Sequence, residues 1–334
     1  MAVFMTGATG YIGSVLLQQL LDEGETVHVL YRPSSFDKVD LSRSRIRPFR
    51  GDLLDVASLQ RAMRDCNQVY HMAAYARVWA EDPSAFYRVN VQGTRNVLET
   101  AQKLQVRKVV LTSSAATLPA SSDGRPVDES ATDPEFETEY ARTKHQAEEE
   151  AIGFNEKGLP TVIVNPPRVY GPGLMSESNA VTRLVKWYLE GKWRFLPGDG
   201  DVVGNYVYVE DVAGGHRRAM EHGRPGERYI LGGDNVSLRE LLHLVGEVSR
   251  KHRRMISIPV PLVMGIARFE MWKADLLGRS PLITPQWVKN YLKDSPLSSE
   301  KARQELGYTP IPLREGLRRT VDWLRREFPH LPHV

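Results

Sequence analysis

Thr6-Gly7-Ala8-Thr9-Gly10-Tyr11-Ile12-Gly13 follows directly on the apolar run Ala2-Val3-Phe4-Met5 and leads into Ser14-Val15-Leu16-Leu17-Gln18-Gln19-Leu20-Leu21. A short apolar run, a glycine turn and a helix-period stretch read as a strand–turn–helix unit. Gly7 allows a sharp turn. Gly10 lets backbone amides approach a pyrophosphate at the positive end of the helix, and Gly13 lets that helix lie close on the strand. A second strand-like run, Thr26-Val27-His28-Val29-Leu30, follows at the spacing of a βαβ unit. The stretch therefore predicts a dinucleotide site around Gly7, Thr9, Gly10, Tyr11, Ile12 and Gly13.

Working outward, 334 residues with 41% hydrophobic content suffice for one large domain and a smaller lobe. The 44 basic and 41 acidic residues are well mixed, for a net charge of +3. Arg43–Arg50 and Arg314–Arg326 are locally basic but carry no interleaved aromatics, so they read as solvated faces rather than a nucleic-acid surface. The single Cys66 excludes an internal disulfide and multi-cysteine zinc patterns, and fits a reducing compartment. The first strand begins at the N-terminus, which leaves no signal peptide, and no apolar run approaches the roughly 20 residues of a membrane span. No His/Asp/Glu cluster has metal-ligand spacing. The expectation is a cytoplasmic protein acting on a small molecule, with no nucleic acid, no membrane span and no metal.

Strand-like segments at 2–6, 26–31, 44–49, 67–72, 107–113 and 160–165 alternate with helical ones at 12–23, 55–65, 83–105 and 136–157. This alternation predicts an α/β, Rossmann-like, doubly wound parallel sheet with a smaller C-terminal substrate-binding lobe. Residues 1–170 would form the dinucleotide-binding domain, with 205–222 returning to it as a strand and helix. Residues 171–204 and 223–334 would form the lobe. Within it, Ser237 is placed to cap a helix over 238–250, with Glu240 completing a capping box.

Tyr140 and Lys144 lie four residues apart on a predicted helix and so share a face. A free phenol titrates near 10, and an adjacent ammonium would bring it into range for acid–base work at neutral pH. Ser113-Ser114 follow the fifth strand, at the carboxyl edge where open α/β sheets bind ligands, and a hydroxyl there can hold a substrate oxygen.

With these residues in view, the chain resembles the extended short-chain dehydrogenases/reductases, which include nucleotide-sugar epimerases, dihydroflavonol reductases and 3β-hydroxysteroid dehydrogenases. The likeness runs through TGATGYIG, Gly51-Asp52-Leu53-Leu54, His71-Met72-Ala73-Ala74, Asn90-Val91-Gln92-Gly93-Thr94, Thr112-Ser113-Ser114-Ala115, the Tyr140/Lys144 pair and Asn165-Pro166-Pro167-Arg168-Val169-Tyr170-Gly171-Pro172, in the family's order. The resemblance implies roles for individual residues. Ser114, with Ser113 as runner-up, would orient the substrate oxygen, Tyr140 would be the general acid/base, and Lys144 would hold the nicotinamide ribose. Asn90 would hold a bend or water relay. Asp52 and Leu53 would meet the adenine, Met72, Ala73 and Ala74 would line the cofactor, and Pro166 would pack by the nicotinamide. Relatives often dimerise through helices matching 83–105 and 136–157, so a homodimer is a further expectation.

The end of the second strand reads Tyr31-Arg32-Pro33-Ser34-Ser35, with no acid before Asp37. An acid there would accept from a ribose 2′-hydroxyl, whereas Arg32 is suited to a 2′-phosphate, which favours NADP over NAD. Gly204 stands where nucleotide-sugar enzymes of the family carry an arginine that grips the substrate diphosphate. Arg168 or Arg183 would have to compensate for it. The reading is therefore an NADP(H)-dependent oxidoreductase for a hydrophobic or cyclic carbonyl/alcohol pair. Its alternatives are a nucleotide-sugar epimerase or dehydratase and, less favoured, a non-catalytic NADP sensor. Trp187, Tyr188, Trp193, Phe195, Met264, Phe269, Met271, Trp272, Trp287 and Tyr291 offer either an apolar substrate surface or simply the core of the lobe.

Overall fold

The computed structural model describes residues 2–77, 79–132, 134–277, 281 and 283–331, without the side chains of Asp275, Trp287 and Asn290. Its first half alternates β1 (Ala2–Thr6), α1 (Tyr11–Asp22), β2 (Thr26–Tyr31), β3 (Ile46–Arg50), α2 (Val56–Met63) and β4 (Cys66–His71). It continues with α3 (Ser84–Tyr87), α4 (Gly93–Lys103), β5 (Lys108–Thr112), α5 (Glu139–Glu156) and β6 (Thr161–Asn165). The remainder holds β7 (Arg168–Tyr170), α6 (Ala180–Glu190), β8 (Phe195–Pro197), β9 (Val203–Tyr208), α7 (Val209–His222), β10 (Arg228–Ile230) and β11 (Asp234–Ser237). It closes with α8 (Leu238–Ser249), β12 (Ile256–Ile258), α9 (Val260–Leu277), α10 (Pro285–Tyr291), α11 (Glu300–Leu306) and α12 (Leu313–Glu327).

Seven parallel strands form the central sheet in the order β10-β6-β5-β4-β1-β2-β3. The chain winds outward from β1 through β2 and β3, then crosses back to β4 on the other side. That reversal between β1 and β4 opens a crevice at the carboxyl ends of the strands. Successive side chains of each strand enter opposite layers. Val110, Val162 and Val164 pack beside Leu16 and Val212, while Val109, Leu111 and Ile163 pack beside Val97 and Phe154. Both faces are covered, which is why these strands read as unbroken apolar runs.

Two local departures from the sequence reading shape the site. The helix expected over 83–105 is interrupted by a π-helical turn at Arg88–Gln92, between α3 and α4. The Thr94 hydroxyl donates to the freed Asn90 carbonyl at 2.6 Å, which satisfies the carbonyl inside the bend. α5 starts at Glu139 and not at 136, because the Thr138 hydroxyl caps it by accepting from the Ala141 N–H at 3.1 Å. At α8 the Ser237 hydroxyl accepts from the Glu240 N–H at 3.1 Å, where the sequence placed a cap.

The returning segment also differs. α7 does pack with α1 in the main layer, but β9 belongs to a separate three-stranded sheet, β11-β9-β7. The strand that joins the central sheet is β10, which lies within the stretch 223–334 read as lobe. At three residues it is too short to show a period-two pattern. It is held from the side, where Arg228 pairs with the buried Glu148 of α5 at 2.8 Å. The smaller lobe has its own core, built from Tyr170, Tyr206, Leu241 and Leu317 among others. Among the described residues no helix is long and apolar enough to cross a membrane.

Candidate active site

The glycine turn is as tight as its spacing required. Gly7 has φ +75°, and a Cβ there would lie 2.6 Å from the Ala73 nitrogen; a Cβ on Gly13 would lie 2.1 Å from the Gly7 oxygen. Only bare glycines let α1 sit this close to β1 and to the end of β4. Gly10 precedes α1 in extended backbone with no side chain capping the helix, so its first amides remain open at the positive end. This cradle fits the pyrophosphate of a dinucleotide. Thr9 and Ile12 are half-buried beside it. Tyr11 turns its side chain away, burying the ring and donating from its hydroxyl to the Gly171 carbonyl at 3.0 Å, so only its backbone faces the cradle. Met72 and Ala73 run alongside, their N–H groups bonded to the Thr6 carbonyl at 3.3 Å and the Thr6 hydroxyl at 3.2 Å. Ala74 follows, half-buried.

Beyond β2 lies a shallow cavity of about 640 Å³ lined by Arg32, Pro33, Ser34, Arg50, Gly51, Asp52, Asp55 and Arg61. The register pairing Tyr31 with Arg50 brings the second guanidinium beside the first strand's end. None of Arg32, Arg50 and Arg61 makes an ion pair among the described residues. In the sequence Arg50 reads as part of a solvated stretch; β2–β3 pairing was the signal for its true place. Asp52 lines this cavity, but Leu53 does not. Its side chain packs in the core with Leu30 and Val97, and its carbonyl accepts from Asn96 at 2.9 Å.

At the carboxyl edge of β5, the Tyr140 hydroxyl lies beside the side chain of Ser114. Burial pushes the phenol above its ordinary value, and the Ser114 side chain opposes this. The Ser114 hydroxyl also accepts from the Ala116 N–H at 3.2 Å. The neighbouring Ser113 hydroxyl is buried and has no hydrogen-bond partner among the described residues. One turn on from Tyr140, Lys144 is buried, and its Nζ donates to the Thr112 carbonyl at 2.7 Å. Burial brings its ammonium down to about 8, against the opposing charge of Glu148. The spacing suggests an ammonium that lowers the phenol; here the ammonium donates to the Thr112 carbonyl, and burial is the larger influence on the phenol.

A buried scaffold fixes these groups. Asn90 donates from Nδ2 to the Thr143 hydroxyl at 3.0 Å and accepts the Tyr75 N–H at 2.7 Å. The Thr94 hydroxyl, committed as donor to Asn90, accepts from His71 Nε2 at 2.9 Å; His71 Nδ1 then accepts from the Thr6 hydroxyl at 2.7 Å. Burial, with Lys144 nearby, holds His71 at about 3, so it is neutral. On the other side, His216 Nε2 meets the Thr112 hydroxyl at 2.8 Å and Nδ1 the Val212 carbonyl at 2.7 Å. Both histidines are struts. Glu148 accepts from Asn165 at 2.7 Å and Thr117 at 2.9 Å, and Asn165 also donates to the Ser114 carbonyl at 3.1 Å. The buried Pro166 ties in through its carbonyl, which accepts the Ala115 N–H at 3.0 Å. Glu148 was missed in the sequence, although Tyr140, Lys144 and Glu148 form one i, i+4, i+8 row.

Over the lobe side, Arg168 donates to the Tyr206 hydroxyl at 3.1 Å and lies 5.4 Å from that ring and 4.8 Å from the ring of Tyr291. A Cβ on Gly204 would fall 1.8 Å from its NH1, so Arg168 fills the space a side chain at 204 would need. Arg183 instead stacks on Trp187. The aromatic residues left open between a substrate surface and the core of the lobe divide several ways. Tyr188 is buried core and Trp193 packs against the same cluster; Met264, on α9, packs against the cluster of Val263, Ala267 and Val288. Phe195, Phe269 and Trp272 face outward. Trp287's side chain lies outside the described residues. Tyr291 roofs Arg168.

Residues 3–232 match the family described as the NAD dependent epimerase/dehydratase family. A putative dihydroflavonol 4-reductase of Synechocystis sp. is 33% identical over 328 residues, covering 96% of this chain and 94% of that protein. Sterol demethylase protein B of Methylococcus capsulatus is 33% identical over 336 residues, covering 97% and 98%. Among solved structures, the UDP-glucose 4-epimerase of Thermus thermophilus, in complex with NAD, superposes with a TM-score of 0.79 at 29% identity, covering 97% of this chain and 99% of that one.

The burial of Lys144 has a measurable consequence. With an ammonium at about 8 folded and 10.5 unfolded, the unfolded chain binds more protons between those values, so stability rises with pH across that window. The shift corresponds to about 3 kcal/mol. Lys144→Met removes it. In denaturant titrations, the variant's stability relative to wild type is expected to fall by about that amount between neutral pH and pH 10.5. A pH-independent difference would contradict the assignment.

Proposed function

The chain belongs to the NAD-dependent epimerase/dehydratase family, and we propose that it is an NADP(H)-dependent oxidoreductase interconverting a carbonyl and an alcohol on a hydrophobic or cyclic substrate. The observation that carries this reading is the buried Tyr140 phenol beside the Ser114 side chain at the open end of the sheet, one helical turn before the buried Lys144. A phenol that retains its proton at neutral pH is suited to donate it to the oxygen of a carbonyl undergoing reduction. The Ser114 hydroxyl holds that oxygen, and in the reverse direction Tyr140 takes the proton back. The nicotinamide cofactor, when bound, supplies or accepts the hydride. The glycine cradle would hold its pyrophosphate, and Lys144, drawn from Thr112, its ribose. Arg32 and Arg50, neither ion-paired among the described residues, favour a 2′-phosphate. Relatives named for a dihydroflavonol reductase and a sterol-modifying protein support a hydrophobic substrate.

A nucleotide-sugar epimerase has one observation in its favour: Arg168 puts a cation over Gly204. That guanidinium is already bonded to Tyr206 and roofed by Tyr291.

Tyr140→Phe is expected to lower kcat for ketone reduction by about 10²-fold or more, with the Kd for NADPH within a few-fold of wild type. Wild-type turnover in that variant would refute the proton-transfer role. Arg32→Ala is expected to lower kcat/KM with NADPH by about ten- to a hundredfold while barely changing it with NADH, as loss of a charge-assisted bond requires. Equal losses with both cofactors would argue against 2′-phosphate recognition.

A further inference from the structure

α9 buries Val263, Ala267, Glu270 and Ala274 toward α10 and leaves its opposite face to solvent. That face is apolar, with Leu262 57%, Ile266 45%, Phe269 59%, Trp272 60% and Leu276 67% exposed. These positions recur at helical spacing and make a continuous stripe, unlike the scattered exposed leucines of an ordinary surface. Beside the N-terminal end of α9, the exposed Phe195 and Ile256 are register partners across the β8–β12 ribbon.

The segment leading into and through α9 is basic. Residues 250–277 hold six Lys/Arg and only two Asp/Glu, in a chain whose whole excess is +3. Arg194 beside the exposed Phe195, Arg254 two residues before Ile256, and Arg268 on α9 itself make no ion pair among the described residues. Lys273, within the stripe, is paired with Glu270, and its long stem lets the ammonium reach past the apolar side chains.

We propose that the outer face of α9 docks this protein onto an anionic lipid surface, with the helix lying in the plane of the interface. An apolar stripe with Phe and Trp, fringed by unpaired basic side chains, is matched by acyl chains below negative headgroups. Arg268 and Lys273 on its outward side keep the helix from crossing the bilayer. A second copy of this chain fits less well, because a two-fold contact through the same patch sets one basic fringe against the other. The inference rests on this surface and is independent of the reductase reading. It places the smaller lobe against the lipid, since the inner face of α9 packs on α10, which carries Tyr291 over Arg168.

The test is co-sedimentation of the full chain with vesicles of phosphatidylcholine, alone or mixed with phosphatidylglycerol. Wild type is expected to pellet with the mixed vesicles, less so at high salt, and to stay soluble with phosphatidylcholine alone. The double variant Phe269→Ser/Trp272→Ser and the charge reversal Arg254→Glu/Arg268→Glu should each lower partitioning about tenfold or more. Thermal melting and NADPH binding like wild type would show that they remain folded. Wild type remaining in the supernatant would overturn the proposal, as would variants that pellet like wild type. A concentration-dependent dimer in sedimentation velocity that Phe269→Ser/Trp272→Ser abolishes would also overturn it, by assigning the face to a second copy.

Discussion

The carboxyl end of the sheet is organised around one buried ammonium. Lys144 has no carboxylate in direct contact among the described residues, and its proton is held by the Thr112 carbonyl at 2.7 Å. Keeping that charge in place requires β5 and α5 to stay in fixed register, and the surrounding groups supply this. His216 anchors the side chain of Thr112, Asn90 anchors Thr143 on the turn of α5 that carries Lys144, and Glu148 ties α5 to β10 and to the strand end at Asn165. Buried polar networks of this kind hold geometry well only when nearly every member is satisfied. Two buried atoms here have no partner among the described residues: Asn165 Oδ1 and the Ser113 hydroxyl, directly beside Ser114.

Much of this was legible in the sequence, because its causes are local. The φ of +75° at Gly7 and the contact of Gly13 with the turn are properties of glycine spacing, and the parallel strands announce themselves as apolar runs between helices. The Tyr140/Lys144 pair follows from helical periodicity alone. The π-turn at Arg88–Gln92 did not show, because it depends on a tertiary bond chain from Thr94 through His71 to Thr6. β10 was hidden by its length. The outward aim of Phe269 and Trp272 was hidden because periodicity defines faces and leaves open which of them meets the core. The upward push of burial on the Tyr140 phenol, and the engagement of Lys144 by the Thr112 carbonyl, are tertiary effects that the spacing does not show.

Gly204 illustrates how an absent side chain acquires meaning only in three dimensions. In the sequence it was a missing arginine; in the fold it is the space into which Arg168 settles, between the rings of Tyr206 and Tyr291. The cation is retained but comes from a different strand, neutral aromatic faces replace an open anion site, and the roof belongs to the lobe.

The central claim is net redox chemistry with a consumed cofactor. The most direct measurement is the ratio of NADPH oxidised to alcohol formed when the enzyme is given a hydrophobic cyclic ketone, alongside a parallel incubation with UDP-sugars. The account predicts one NADP⁺ per alcohol and no conversion of the sugars. Epimerised or dehydrated sugar nucleotide with no net change in cofactor would contradict it.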